Sequence, residues 1–266
     1  MSLIKEYLRK HLNNFLIDST ELKRKNELVL TQIDYLKNYP TKKGKVLYTC
    51  ITGGYEGLLL QEYLNPEWDY FCFTDSEKLL NYKNYGAWQI RPLEFSELDN
   101  TKNARWHKMH PHVLFPDYNE SIYIDGNIIF TGKHIFNEIQ NKKLNLVIPN
   151  HWRDDCIYTE IKSVRKNKFD SEENIKKIET FLKENNFPEH YGLNETNLIY
   201  RHHNDPRVIK IMEEWWAFIR DFTKRDQLSL TYVLWKNGIK PSEIEIKNLR
   251  ARAKEENGGV IFKTHK

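Results

Sequence analysis

The chain has 266 residues, long enough to bury a sizeable core, and its 39% hydrophobic and 29% charged side chains exclude a disordered polymer. Lys+Arg 41 against Asp+Glu 37 leaves a net charge of only +4, which excludes the broad positive field of a nucleic-acid binder. No apolar run approaches the ~20 residues of a membrane span, and the start lacks the apolar segment and cleavage site of a secretory leader.

Residues 1–40 read as a helical extension ahead of one α/β domain at 41–266. Leu3, Ile4, Tyr7, Leu8, Leu12, Phe15 and Leu16 form a stripe at helical spacing, with Lys5, Arg9 and Lys10 opposite. Such a stripe docks on its own domain or a partner subunit, or lies on a membrane surface. A second helix, about 20–38, ends at Tyr39-Pro40 before a basic turn containing Gly44.

From Lys45 the pattern alternates between strands and helices. Lys45 to Ile51 reads as a buried strand running into Thr52-Gly53-Gly54-Tyr55, a loop whose glycines permit close backbone approach to a ligand. Residues 69–75 form a second strand ending at Asp75, and Trp88-Gln89-Ile90 a weaker third. The strand through Tyr123 stops at Asp125-Gly126-Asn127, and further strands are expected at 144–149 and 197–200. Helical patterns fall at 101–115, 133–140, 154–184 and 205–222. This alternation predicts an α/β sandwich with a mostly parallel central sheet flanked by helices. The three cysteines, Cys50, Cys72 and Cys156, are odd in number, widely spaced and set in apolar segments, as expected of buried reduced thiols. A cytoplasmic location follows, with the inner face of the membrane as the alternative if the first helix binds lipid.

Ligands of open α/β sheets gather beyond the carboxyl ends of the strands. Three strand-end features fall there: Thr49 to Glu56, Asp75, and Asp125-Gly126-Asn127. The early loop suits a base and ribose, Asp75 can accept from ribose or base donors, and the later acid suits a diphosphate-bound cation. Arg105 and Lys108, three apart on one helix face, are candidates to meet that diphosphate or a substrate.

The sequence resembles the glycosyltransferase-like family founded on the domain of unknown function 616, of the TOD/MUCI type. The resemblance rests on Tyr48 to Glu56, Phe73-Thr74-Asp75, Asn103 to Lys108 leading to Pro116, and Tyr123 to Ile128. It continues through His151 to Arg153, Asp155 to Glu160, Gly192 to Glu195, Arg201-His202 and Arg225 to Ser229, in order over about 45–240. It implies a GT-A-like fold with a single nucleotide-sugar-binding domain, a nucleotide-sugar donor and a glycan or lipid-linked acceptor, as in capsule or other surface-polysaccharide assembly.

Within that resemblance Asp125-Gly126-Asn127 stands where glycogenin-like enzymes carry Asp-x-Asp, so Asp125 and Asn127 are the expected ligands of Mn²⁺ or Mg²⁺. Asn127 contributes an oxygen but no charge, which lowers metal affinity and opens metal-independent catalysis. The bland reading of both residues is a turn. A late histidine, His265, is the third metal candidate. His151 and Arg153 are placed beside the diphosphate or acceptor, or else belong to a solvated helix start. Glu195 is a candidate to orient or deprotonate the acceptor hydroxyl. Asp226 and Gln227 match an Asp-Gln pair beside the donor sugar, with helix capping as the alternative for Asp226.

Two further classes remain open on the sequence. His107, His110 and His112, with Asp117 nearby, suit a metal-dependent hydrolase. The 7 Trp and 15 Tyr suit a non-catalytic carbohydrate-binding protein, since aromatic faces stack on sugars.

Overall fold

The computed structural model describes residues 22–38, 44–55 and 57–263. The striped first helix and His265 lie outside the described residues.

The strands are β1 (Lys45–Ile51), β2 (Asp69–Thr74), β3 (Asn84–Tyr85), β4 (Trp88–Pro92), β5 (Glu120–Ile124), β6 (Ile128–Phe130), β7 (Leu146–Pro149), β8 (Leu198–Arg201), β9 (Glu245–Ile246) and β10 (Val260–Phe262). All but β6 and β10 join one sheet in the order β3-β4-β2-β1-β5-β8-β7-β9. The core of that sheet, β4-β2-β1-β5, is parallel. β8 runs antiparallel to both β5 and β7, and β9 lies parallel to β7. β1 and β2 are buried on both faces, which is why they read as continuous apolar runs and not as an alternation of polar and apolar residues.

The pleat divides the core. Val46, Tyr48 and Cys50 project to one face with Phe71, Phe73 and Tyr123, under α3 (Asn100–Met109), α4 (Pro111–Leu114) and α8 (Pro206–Asp221). Leu47 and Ile51 project to the other, with Tyr70, Ile122 and Leu198, under α1 (22–38) and α5 (His134–Lys142). α1 is tied down through Gln32, whose amide donates to the Gln61 carbonyl and accepts from the Ala87 N–H. A third apolar cluster joins α6 (Ile157–Lys166), α7 (Glu172–Glu184) and α9 (Gln227–Lys236) beside the sheet.

Two helical expectations are corrected. The pattern at 101–115 is two helices, because Pro111 lacks the N–H needed to continue α3 and opens α4 instead. The pattern at 154–184 breaks between α6 and α7, where Lys168 adopts φ 54° and Ser171 caps α7 by accepting from the Asn174 N–H. The three cysteines are free and buried. No described helix is long and apolar enough to cross a membrane.

β6 follows Asp125 by a single turn and pairs antiparallel with β10. Two short helices, α2 (Glu77–Leu80) and α10 (Pro241–Ile244), precede β3 and β9, and after β9 the chain passes through α11 (Leu249–Arg252) and returns along β10 to the carboxyl end of β5. The last strand is thereby brought against the Asp125 turn.

Candidate functional site

A cavity of about 600 Å³ opens at the carboxyl ends of β1 and β5. Asp125 terminates β5 there: its N–H donates to the Asn197 carbonyl, and its own carbonyl accepts from the Ile128 N–H to close the turn. The Asp125 side chain is about one-third exposed and lines the cavity with Gly126. Asn127 does not line it. Its Nδ2 donates to the Lys263 carbonyl at 3.2 Å, and the Lys263 N–H returns a bond to the Asn127 carbonyl, so this residue fastens β10 to the turn.

Behind the turn lies a buried charge network. Lys108 is fully buried, and its Nζ stands 2.6 Å from Asp226 Oδ2 and 3.6 Å from Asp125 Oδ1, over the Tyr123 ring. Asp226 Oδ2 also meets Arg105 Nε at 3.2 Å and accepts from Thr196 Oγ1. Asp226 begins α9, yet its side chain makes no cap bond. The carboxylate turns into the network instead. Burial alone would push the Asp226 carboxyl up, but Arg105, Lys108 and Arg225 outweigh it and hold it well below the usual carboxylate range. Burial pushes the Lys108 ammonium down against the pull of Asp125 and Asp226. Lys108 is thus an internal counter-ion, sealed from the cavity that Asp125, Arg105 and Asp226 line.

Glu195 and Gln227 also line the cavity. Glu195 is buried, accepting from Asn197 Nδ2 at 2.8 Å and from Arg250 Nε at 3.1 Å. Arg250 comes from α11, so the C-terminal segment supplies a cavity wall. His151 and Arg153 lie outside the lining. His151 Nδ1 accepts from the Asp154 N–H, and Arg153 is drawn to Asp154 at 2.7 Å.

On the other flank, Thr52, Gly53 and Tyr55 line the cavity, whereas Thr49 is buried within β1 and Gly54 stands clear of it. Both carboxylate oxygens of Asp75 accept from the Gly53 N–H, and Thr52 Oγ1 donates to the Asn100 carbonyl. Gly53 has φ 64°, and a Cβ there would fall 2.3 Å from Asn100 Nδ2. Glycine is required at this position both for its backbone and for its space. Asp75 therefore holds the loop's shape.

Four cationic lining residues escaped sequence reasoning as site residues: Lys168, Lys224, Arg225 and Arg250. Each sits among other charges in the sequence and reads there as a solvated face; Arg225, although part of a matched motif, drew no role. Their convergence depends on contacts between distant loops.

The histidine trio does not make a metal site. His107 uses both ring nitrogens, Nδ1 to the Asn103 carbonyl and Nε2 accepting from the Glu94 N–H. His110 stacks on Trp106 and bonds its carbonyl, while His112 bonds Glu213. Among the described residues the ligand atoms that converge are those of His151, Asp154 and Glu160. There the Nδ1 lone pair of His151 is already taken, and Arg153 offsets the carboxylate charge.

The chain was compared with known proteins. The family model described as TOD1/MUCI70, glycosyltransferase-like domain, matches residues 70–254. No curated protein matches the sequence. Among solved structures, the WbbM bifunctional glycosyltransferase aligns at TM-score 0.48 and 10% identity, over 78% of this chain and 39% of that one. Mouse xyloside xylosyltransferase 1 aligns at 0.44 and 12% identity, over 77% of this chain and 85% of that one. Glycosyltransferase GlyE of Streptococcus pneumoniae aligns at 0.39 and 10% identity, over 79% and 46% respectively. The chain spans about two-fifths of the first of these and under half of the third.

Proposed function

The chain belongs to the TOD1/MUCI70 family of glycosyltransferase-like domains, and from that premise we propose that its cavity binds a nucleotide-activated sugar and transfers the sugar to a hydroxyl of a glycan or lipid-linked acceptor. The observation that carries the reading is Asp125, a partly exposed carboxylate at the end of a central strand, opening into a 600 Å³ cavity floored by a second, buried carboxylate, Asp226.

The base and ribose occupy the loop Thr52 to Tyr55, whose shape Asp75 sets. The diphosphate lies by Asp125 and Gly126, with the Arg250 guanidinium approaching from the C-terminal segment. The Asp125 carboxylate would hold a hard divalent cation, Mg²⁺ or Mn²⁺, through its oxygen donors. Such a cation neutralises charge on the departing diphosphate when bound. Lys108, 3.6 Å from Asp125, supplies fixed positive charge to the same carboxylate.

Asp226 is proposed to accept hydrogen bonds from sugar hydroxyls. A carboxyl held so far below its usual range is a poor proton acceptor, so orientation suits it better than general-base work. Glu195, fixed by Asn197 and Arg250, is the group assigned to align the acceptor hydroxyl with the anomeric carbon. As the acceptor oxygen bonds to that carbon, its hydroxyl proton passes to the Glu195 carboxylate, the bond to the diphosphate oxygen breaks, and the electron pair of that bond leaves with the nucleoside diphosphate. Surface-polysaccharide assembly, such as a bacterial capsule, is the proposed setting, at the cytoplasmic side of the membrane.

The test is release of nucleoside diphosphate from a panel of nucleotide sugars, followed by mass spectrometry with oligosaccharide acceptors. We expect selective turnover of one donor, lowered on the order of 100-fold or more in Asp125→Ala. Full activity of a folded Asp125→Ala protein would remove the core of the proposal.

A further inference from the structure

The cations of the cavity fall into two groups. Arg105 is consumed by Asp226, and Arg250 shares Glu195. Lys168, Lys224 and Arg225 have no ion-pair partner among the described residues, although all three line the same cavity. The Arg225 Nε is buried with no hydrogen-bond partner. The Arg225 guanidinium lies 5.0 Å over the Phe169 ring, and both residues line the cavity.

These residues come from two loops that are built to meet. Lys168 and Phe169 lie between α6 and α7, and Lys224 and Arg225 between α8 and α9. Thr223 Oγ1 donates to Asp170 Oδ2 at 2.6 Å, and the Arg225 N–H donates back to Thr223 Oγ1. Asp170 is fixed in turn by the Ser171 N–H and Asn174 Nδ2. Lys168 is held at φ 54°, a left-handed conformation disfavoured for a lysine. Arg225 acts at a distance on the buried Asp226 and Glu160, yet none of the three cations is held in an ion pair, so the wall offers a multivalent anion charge-assisted hydrogen bonds and makes an oxyanion site.

The position of the wall decides whose anion it takes. The donor's diphosphate is assigned to Asp125 and Gly126. The cationic wall is instead built from the α8–α9 connection, which ends at Asp226 beside the sugar position, and from the α6–α7 connection. We propose that Lys168, Lys224 and Arg225 bind a phosphate group of the acceptor, so that the enzyme glycosylates a phosphorylated or diphosphate-linked glycan. This inference rests on the glycosyltransferase reading above and specifies its acceptor.

The experiment first identifies the nucleoside diphosphate that most stabilises the wild-type protein. With that nucleotide saturating, calorimetric titration compares a neutral hexose, a hexose 1-phosphate and a short-alkyl hexosyl diphosphate. We expect the neutral hexose to bind at least 10-fold more weakly than a phosphorylated probe. The tighter of the two phosphorylated probes tells whether a free phosphosugar or a lipid-linked glycan is the source. In Lys168→Ala/Lys224→Ala, an exposed and a half-buried position whose truncation spares the core, affinity for that probe should fall at least 10-fold while nucleotide affinity stays within twofold. A matching fall in nucleotide affinity, or competition between probe and nucleotide, would assign the wall to the donor and overturn the inference with the transferase reading intact. Equal binding of neutral and phosphorylated hexoses, or no binding of either, would also overturn it. Failure of every nucleotide to bind the wild-type protein would instead strike the transferase reading itself.

Discussion

At the scale of single residues, the two acidic groups of the site do different work and should respond differently to removal. Asp226 is buried against Lys108, so Asp226→Ala strands a buried ammonium and should destabilise the fold by about 3–5 kcal/mol. Asp125 is partly exposed and its lysine contact is longer, so Asp125→Ala should cost under about 1 kcal/mol. Urea denaturation of both variants checks this: equal midpoints would mean that the network carries no stability. Histidines set a second, pH-linked expectation. Burial pulls His107 and His203 down to about 4, and each uses a ring nitrogen to bond a backbone carbonyl in its neutral form. The unfolded chain takes up these protons near pH 6.5 and the folded one only near 4. Their stabilisation is therefore complete above about pH 6.5 and is lost progressively as pH falls toward 4, by up to about 3 kcal/mol each. A melting temperature flat across that window would contradict this.

At the scale of elements, the loop after β1 and the loop pair beyond α6 and α8 both line the cavity. Gly53 and Gly54 share φ 64°, but only Gly53 has a side chain in the space a Cβ would take. Gly54→Ala should therefore meet only the backbone term, about 1 kcal/mol, while Gly53→Ala must also displace Asn100. We expect nucleotide affinity to drop about 10-fold or more in Gly53→Ala and far less in Gly54→Ala, measured by calorimetric titration. This contrast also marks what the sequence could disclose. The buried runs of β1, β2 and β5 and the acids at their ends were legible, because burial on both faces leaves an apolar signature that stops at a polar residue. The break at Pro111 was legible in chemistry and overlooked in pattern. Lys108 was expected at the diphosphate but lies sealed beneath Asp226, and no spacing rule distinguishes a helix face turned to a ligand from one turned to a buried carboxylate. The wall of Lys168, Lys224 and Arg225 was not legible at all, since it exists only through the Asp170–Thr223 bond between segments 53 residues apart.

At the scale of the molecule, an α/β sandwich was predictable from the alternation of elements, but the antiparallel insertion of β8 between β5 and β7 was not. Strand direction there follows from long connections that carry helices α6 and α7, and local sequence does not encode where such a connection returns. The consequence is functional. Inverting β8 delivers the residues that lead into it, Glu195 to Asn197, to the same edge at which β1 and β5 end, so one cavity collects carboxylates from three separate parts of the chain. The C-terminal strand β10, pinned by Asn127, closes the arrangement from the far side. Five cationic and three acidic side chains line the cavity among the described residues, a local excess of two positive charges.

The most direct measurement is thermal stabilisation by a panel of nucleoside diphosphates and nucleotide sugars, with and without Mn²⁺ or Mg²⁺, in the wild-type protein and Asp125→Ala. Binding to the native state alone stabilises by mass action, about 2.7 kcal/mol at a hundredfold excess over Kd. The account predicts a selective rise in melting temperature with one nucleotide, strengthened by the cation and lost or sharply reduced in Asp125→Ala. No rise with any nucleotide, or an equal rise in the two proteins, would contradict it.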